Sequence, residues 1–151
     1  MTFASQMDAA LEEARAAALR GEVPVGAVIT DPAGRIVARA GNRTRELADP
    51  TAHAEILALR AACAAAGSER LPGHAIWVTL EPCAMCAAAI GLARLARLHW
   101  GADDPKGGGV RHGARVFSHA QCHHRPDLYG GHSEAACAAL LRDFFAGLRQ
   151  S

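Results

Sequence analysis

The sequence predicts one α/β domain in which a sheet is sandwiched between helices. Three observations carry this reading. The periodicities run in the order helix, hairpin, helix, strand, helix, strand, helix, the alternation expected of helices packed on a sheet. The 151 residues suffice for one real core. No internal repeat and no low-complexity linker divides the chain.

Residues 5–20 read as the first helix. Met7, Leu11, Ala14 and Ala18 share a face, Ser5 and Asp8 resemble a capping pair, and Gly21 can end it. Val25–Thr30 and Arg35–Ala40 read as two strands. Asp31-Pro32-Ala33-Gly34 between them has the residue order of a type I turn, so the pair forms a hairpin. Residues 42–49 are a polar loop. Asp49-Pro50-Thr51 signals a helix start, with Asp49 or Thr51 as cap, and the helix runs to about Ala66, where Gly67 closes it. Ala75–Leu80 is a short buried strand, Pro82 opens a helix through about Arg94, and Leu98–Gly101 is another short strand. Residues 102–132, with Gly107-Gly108-Gly109 and Gly130-Gly131, predict loops and short elements. Ser133 caps a last helix whose apolar face holds Cys137, Leu140, Leu141, Phe144 and Leu148.

Bulk properties narrow the function classes. Half the residues are apolar and the formal net charge is +1, weak support for a nucleic-acid partner unless arginines such as Arg43, Arg45, Arg111 and Arg115 cluster locally. Lys106 is the only lysine. Five cysteines in no regular framework argue against a secreted disulfide scaffold. With no signal segment and no apolar run of membrane-spanning length, the expected compartment is a reducing cytoplasm.

The chemistry lies in His53-Ala54-Glu55 and Pro82-Cys83-Ala84-Met85-Cys86. Cys83 and Cys86, three apart at a helix start, turn their sulfurs to one side, where the helix N-terminus favours thiolates. His53 lies in the first turn of the earlier helix. Two thiolates and an imidazole suit zinc, and three protein ligands leave a position for water, the mark of a catalytic site. Thiolates weaken the metal as a Lewis acid, so the spare carboxylate of Glu55 becomes the proton carrier. A structural zinc site is the alternative, with Cys122, His123 or His124 as fourth ligand. A thiol redox role for the C-x-x-C is weaker, because Pro82 precedes it and His-x-Glu lies upstream.

H-x-E followed by P-C-x-x-C is a recorded signature of zinc nucleobase deaminases, tRNA adenosine deaminases among them. The match extends further. Glu22-Val23-Pro24-Val25-Gly26-Ala27-Val28, Gly41-Asn42-Arg43 and Asp49-Pro50-Thr51-Ala52-His53-Ala54-Glu55-Ile56 resemble successive blocks of the bacterial tRNA-specific adenosine deaminases. So do Thr79-Leu80-Glu81-Pro82-Cys83-Ala84-Met85-Cys86-Ala87, Gly101-Ala102-Asp103-Asp104-Pro105-Lys106-Gly107 and Ala138-Ala139-Leu140-Leu141-Arg142-Asp143-Phe144-Phe145. The resemblance covers nearly the whole chain from about Asp8.

It implies a cytidine-deaminase-like three-layer α/β/α sandwich with a central mixed sheet, a single zinc-dependent domain over residues 1–151, and a homodimer with one Zn²⁺ per subunit. It implies hydrolytic deamination of adenosine to inosine at the wobble position of an arginine tRNA anticodon, zinc-bound hydroxide attacking adenine C6. His53, Cys83 and Cys86 would bind the metal and Glu55 would shuttle protons. Asn42 would contact the base, Asp104 and Lys106 would face the anticodon stem-loop, and Phe144 would border the RNA groove. The residues alone favour a turn role for Asn42 and a core position for Phe144, with Phe145 the exposed partner of the pair. Cys63 and Cys137 read as buried small hydrophobes, and His99, His112, His119 and His132 as structural or surface histidines. The glycine-heavy 107–109 run predicts a mobile or reshaped loop. The rival function is a zinc deaminase of a free base or nucleoside, guanine or cytosine. A non-catalytic zinc-stabilised RNA-binding subunit would have no use for Glu55.

Overall fold

The computed structural model describes residues 4–149. Residues 1–3, 150 and 151, part of the expected 1–151 domain, lie outside that range. Four α-helices flank a five-stranded sheet: α1 Met7–Leu19, β1 Gly26–Thr30, β2 Ile36–Gly41, α2 Ala54–Ala66, β3 Ala75–Leu80, α3 Ala84–Leu92, β4 Arg97–Ala102, β5 Asp127–Tyr129 and α4 Glu134–Arg149. A single 3-10 turn, Val116–Ser118, interrupts the long segment between β4 and β5. The strand order is β2-β1-β3-β4-β5. β1 pairs antiparallel with β2 and β3, whereas β4 runs parallel to β3 and β5. The sheet is mixed, and the fold is the three-layer sandwich that the sequence predicts.

Each layer follows from the side chains that the strands present. Ala27, Ile29, Ile76, Val78, Leu98 and Trp100 build the core beneath α2 and α3. Val28 and Trp77, alternating with them, join Met7, Ala10, Leu11 and Cys137 beneath α1 and α4. Small residues bring the layers close: a Cβ on Gly26 would lie 2.0 Å from the Ala10 carbonyl oxygen, so β1 lies directly against the α1 backbone.

The hairpin turn forms as expected. Asp31 Oδ1 accepts the Ala33 and Arg35 N–H groups, and Gly34 takes φ +86. Gly67 ends α2 at φ +65, its N–H bonded to Ala64 and that of Ser68 to Cys63, a Schellman closure.

Several boundaries differ from the sequence reading. Ser5 does not cap α1; its hydroxyl accepts the Met7 N–H, and Gln6 holds the cap position. Asp49 caps a turn, not a helix, accepting the Thr51 N–H and hydroxyl, while extended His53 is the true N-cap of α2. Cys83 likewise caps α3, so Pro82 precedes that helix. Ser133 lies at φ +53 outside the extended conformation of a side-chain cap, although its carbonyl accepts the Cys137 N–H. The apolar stripe of α4 is only partly covered: Cys137 is buried, Leu140, Leu141 and Phe144 half-buried, and Leu148 exposed. Cys63 is half-buried against the α2–α3 core.

Candidate active site

The two helix starts meet beyond the end of β3. His53 occupies the N-cap of α2, Cys83 the N-cap of α3, and Cys86 the first turn after it. His53 Nδ1 lies 3.7 Å from Cys83 Sγ and 3.6 Å from Cys86 Sγ. Zinc with ordinary Zn–S and Zn–N distances in a tetrahedron separates its sulfur and nitrogen ligands by roughly 3.6 Å. The donor set and its spacing therefore fit zinc, with Nδ1 as the histidine ligand. Among the described residues these three are the group of His, Cys and acidic side chains that could hold a metal.

The cluster divides its protons unequally. Hydrogen bonds from Cys86 and then His53 bring the Cys83 thiol down to about 4. Cys86, beside that sulfur and buried, is pushed far up, and Cys83 raises His53. One thiolate supported by two proton donors is the arrangement that a cation entering the site displaces.

Glu55 is 4% exposed in the first turn of α2. Burial pushes its carboxyl up, against the pull of its own backbone N–H and of His53. A carboxyl so placed can hold a proton and release it.

His53, Glu55 and Cys83 open onto a cavity of about 400 Å³ whose other walls include Asn42, Asp104 and Gly107. That volume suits a nucleoside-sized ligand. Asn42 is buried at the cavity wall. Asp104 Oδ1 accepts the N–H groups of Lys106 and Gly107, so this carboxylate also shapes its own loop. Lys106 lies outside the cavity, in an adjoining groove with Asp104, Leu141 and Phe145. Phe145 lines that groove, whereas Phe144 is half-buried with its ring edge-on to Phe145 at 5.4 Å.

The candidate fourth ligands point elsewhere. His124 Nε2 donates to the Leu95 carbonyl and Cys122 Sγ to that of His124. Cys122, His123 and His124 line a different cavity with Leu92 and Phe117, along α3.

Two buried glutamates were not singled out by sequence reasoning. Glu22 accepts the Arg45 and Glu46 N–H groups and so holds the loop after Asn42. Glu81 accepts N–H groups of the loop after β4 and the ring of His112, which is therefore no mere surface histidine. Burial raises Glu81, but these hydrogen bonds outweigh it and hold the carboxyl below its usual range. The one available signal was a carboxylate immediately beside Pro82-Cys83. The glycine run is not slack either: a Cβ on Gly108 would meet Glu81 Oε2 at 2.4 Å, and one on Gly109 would meet the Ala84 nitrogen at 2.4 Å.

A zinc-ready His-Cys-Cys triad at two helix starts, with a buried glutamate beside it on a three-layer sandwich, defines a zinc-dependent deaminase. Residues 3–102 match the cytidine and deoxycytidylate deaminase zinc-binding region, and the chain belongs to that family. It is 60% identical over 139 residues to a tRNA-specific adenosine deaminase of Agrobacterium fabrum, covering 92% of this chain and 91% of that one. Within the family it therefore belongs to the tRNA-specific adenosine deaminases. A structure solved in a study of A-to-I editing by tRNA:A34 deaminases superposes with a TM-score of 0.87 at 59% identity, covering 89% of this chain and 97% of that one. A guanine deaminase from Nitrosomonas europaea shares the fold, with a TM-score of 0.82 at 24% identity over 97% of this chain and 87% of that one.

Proposed function

We propose that this chain, as a single catalytic domain over residues 1–151, hydrolyses adenosine to inosine at the wobble position of a tRNA anticodon, an arginine tRNA by family resemblance. The observation that carries this reading is Glu55, buried beside the His53-Cys83-Cys86 triad and facing a nucleoside-sized cavity. Water is consumed and ammonia released.

His53, Cys83 and Cys86 would hold one zinc per subunit. Zinc bound there supplies Lewis-acid activation of water. Glu55 takes a proton from the attacking water, passes it to adenine N1 as C6 becomes tetrahedral, and delivers a proton to the departing ammonia. Asn42 orients the base from the cavity wall. Asp104 and Lys106 meet the anticodon loop, and the Phe144–Phe145 pair borders the groove, with Phe145 as the contacting ring. A nucleotide of a single-stranded loop enters such a pocket at little unstacking cost.

Two further features support a cytoplasmic homodimer. The five cysteines are all free thiols, as a reducing compartment requires. Leu92 is 77% exposed on α3, between two apolar depressions lined in part by Ile56, Leu59, Val116 and Phe117, a surface that a second copy would cover. Among the described residues no helix is long and apolar enough to cross a membrane.

The deciding experiment incubates zinc-loaded protein with an anticodon stem-loop carrying adenosine at the wobble position. Inosine and equimolar ammonia are expected. Turnover of free guanine or cytosine without inosine in the RNA would overturn the reading.

A further inference from the structure

We propose that Glu81 and His112 are positioning residues, a clasp that fixes the loop 104–112 at a set distance from the metal ligand Cys83 and thereby sets the width of the substrate cavity. The inference rests on the functional reading above.

The Glu81 side chain has no exposed surface. Its Oε1 accepts the Asp104 N–H at 3.0 Å and His112 Nδ1–H at 2.8 Å. Its Oε2 accepts three consecutive backbone N–H groups, Val110 at 3.2 Å, Arg111 at 2.9 Å and His112 at 3.0 Å. Consecutive N–H groups converging on one oxygen form an anion nest, here filled by the protein's own carboxylate. All five donors require an acceptor. A carboxylate offers about four lone-pair sites and no competing hydrogen, whereas a carboxamide would turn an NH₂ toward one set of N–H groups. Because Glu81 can only accept, His112 must carry its hydrogen on Nδ1.

The geometry leaves the loop little freedom. Glu81 lies two residues before Cys83, so the group that holds the loop belongs to the same short segment as the metal ligand. The Gly109 N–H donates to the Pro82 carbonyl at 2.8 Å, closing the loop onto that segment a second time. Gly108 and Gly109 have no room for a Cβ against Glu81 Oε2 and the Cys83–Ala84 backbone. Asp104 and Gly107, at the near end of the clasped loop, line the same cavity as His53 and Glu55. A shift of the clasp therefore widens or narrows the cavity without touching a metal ligand.

His112 is the member to perturb, because its side chain is 31% exposed and its loss removes none of the backbone donors. In the zinc-loaded full chain acting on the anticodon stem-loop, His112→Ala is expected to raise KM about fivefold to tenfold with kcat within about twofold. Zinc stoichiometry should stay unchanged, and the amides of Val110–His112 should exchange faster with solvent. His112→Asn places an amide N–H near the Nδ1 position and should restore both KM and protection. Unchanged KM and exchange in His112→Ala, a fall in kcat alone, or a failure of His112→Asn to restore either would overturn the proposal. If the wild-type chain made no inosine, the functional reading would fall, and the exchange measurement would still decide whether the clasp exists.

Discussion

Gly109→Ala should uncouple the protein from its metal. The added Cβ would lie 2.4 Å from the Ala84 nitrogen, 2.6 Å from its Cα and 2.8 Å from the Cys83 carbonyl carbon. Ordinary contact begins at 3.4 Å, so the closest pair is short by about 1 Å. The obstacle is backbone at a helix start, which cannot rotate away. Gly109 has no left-handed φ, so the effect is steric. Overpacking of this kind costs about 1–3 kcal/mol, and the rigidity of the neighbour argues for the upper part of that range. For a chain of this length that lowers Tm by roughly 5–10 °C. Metal sites require ligand distances held to about 0.2 Å, so a shift of even half the deficit at Cys83 should weaken zinc binding at least about tenfold. Urea denaturation in chelator measures the first effect, and competition against a chromophoric chelator the second. Gly147→Ala is the control: nothing lies within 4 Å of its Cβ, and the substitution lies within α4. It should leave zinc affinity alone and add about 0.5–1 kcal/mol of stability. Wild-type zinc affinity in Gly109→Ala would show that the loop yields and the ligand does not, refuting the claim that Gly109 fixes Cys83.

Three other perturbations bear on separate parts of the molecule. Glu55→Gln should keep its zinc and lose at least about a hundredfold in kcat; near-normal turnover would remove Glu55 from proton transfer. His99, stacked on Trp77 at 3.6 Å, is brought down to about 3 by burial and by the nearby His132 and Arg97. The unfolded chain then takes up a proton below about pH 6.5 that the folded chain refuses, so stability falls as pH drops from there toward the folded value. An NMR titration should find its ring neutral at about pH 4, and an ordinary histidine midpoint would contradict this. Leu92→Arg should convert a dimer to a monomer in sedimentation; an unchanged mass would exclude the α3 face as the interface.

Each half of the candidate metal triad was legible in the sequence because its information is local. Cys83 and Cys86 declare a shared helix face by spacing alone, and His53 and Glu55 lie within three residues of each other. The hairpin turn and the Gly67 closure were legible for the same reason: each is decided by residues in a single turn. Features depending on distant partners were not. β5 is three exposed residues without alternation and becomes a strand only because β4 offers an edge. Asp49-Pro50-Thr51 has the composition of a helix start, yet α2 waits for His53, whose extended backbone brings its ring to the cysteines. Gly107-Gly108-Gly109 reads as a mobile or reshaped loop until Glu81 and the Cys83–Ala84 backbone are seen against Gly108 and Gly109.

The same contrast explains how the site is supported. Both loops that wall the cavity are tied down through backbone N–H groups, and the acceptors are buried carboxylates on neighbouring segments. Glu22 holds the Arg45 and Glu46 amides on the Asn42 side. Glu81 holds Asp104 and 110–112 on the other. Anchoring by backbone leaves loop side chains such as Asn42 and Lys106 available to a substrate. It also lets hydrogen bonds offset the cost of burying two charges, two on Glu22 and five on Glu81. Glu55 hydrogen-bonds to its own backbone N–H and to Cys86, and burial outweighs both. Its burial raises its pKa where the hydrogen bonds of the other two lower theirs. Three buried glutamates thus divide by environment: two stay ionised and hold loops, and the third, which burial raises, is the one suited to carrying a proton.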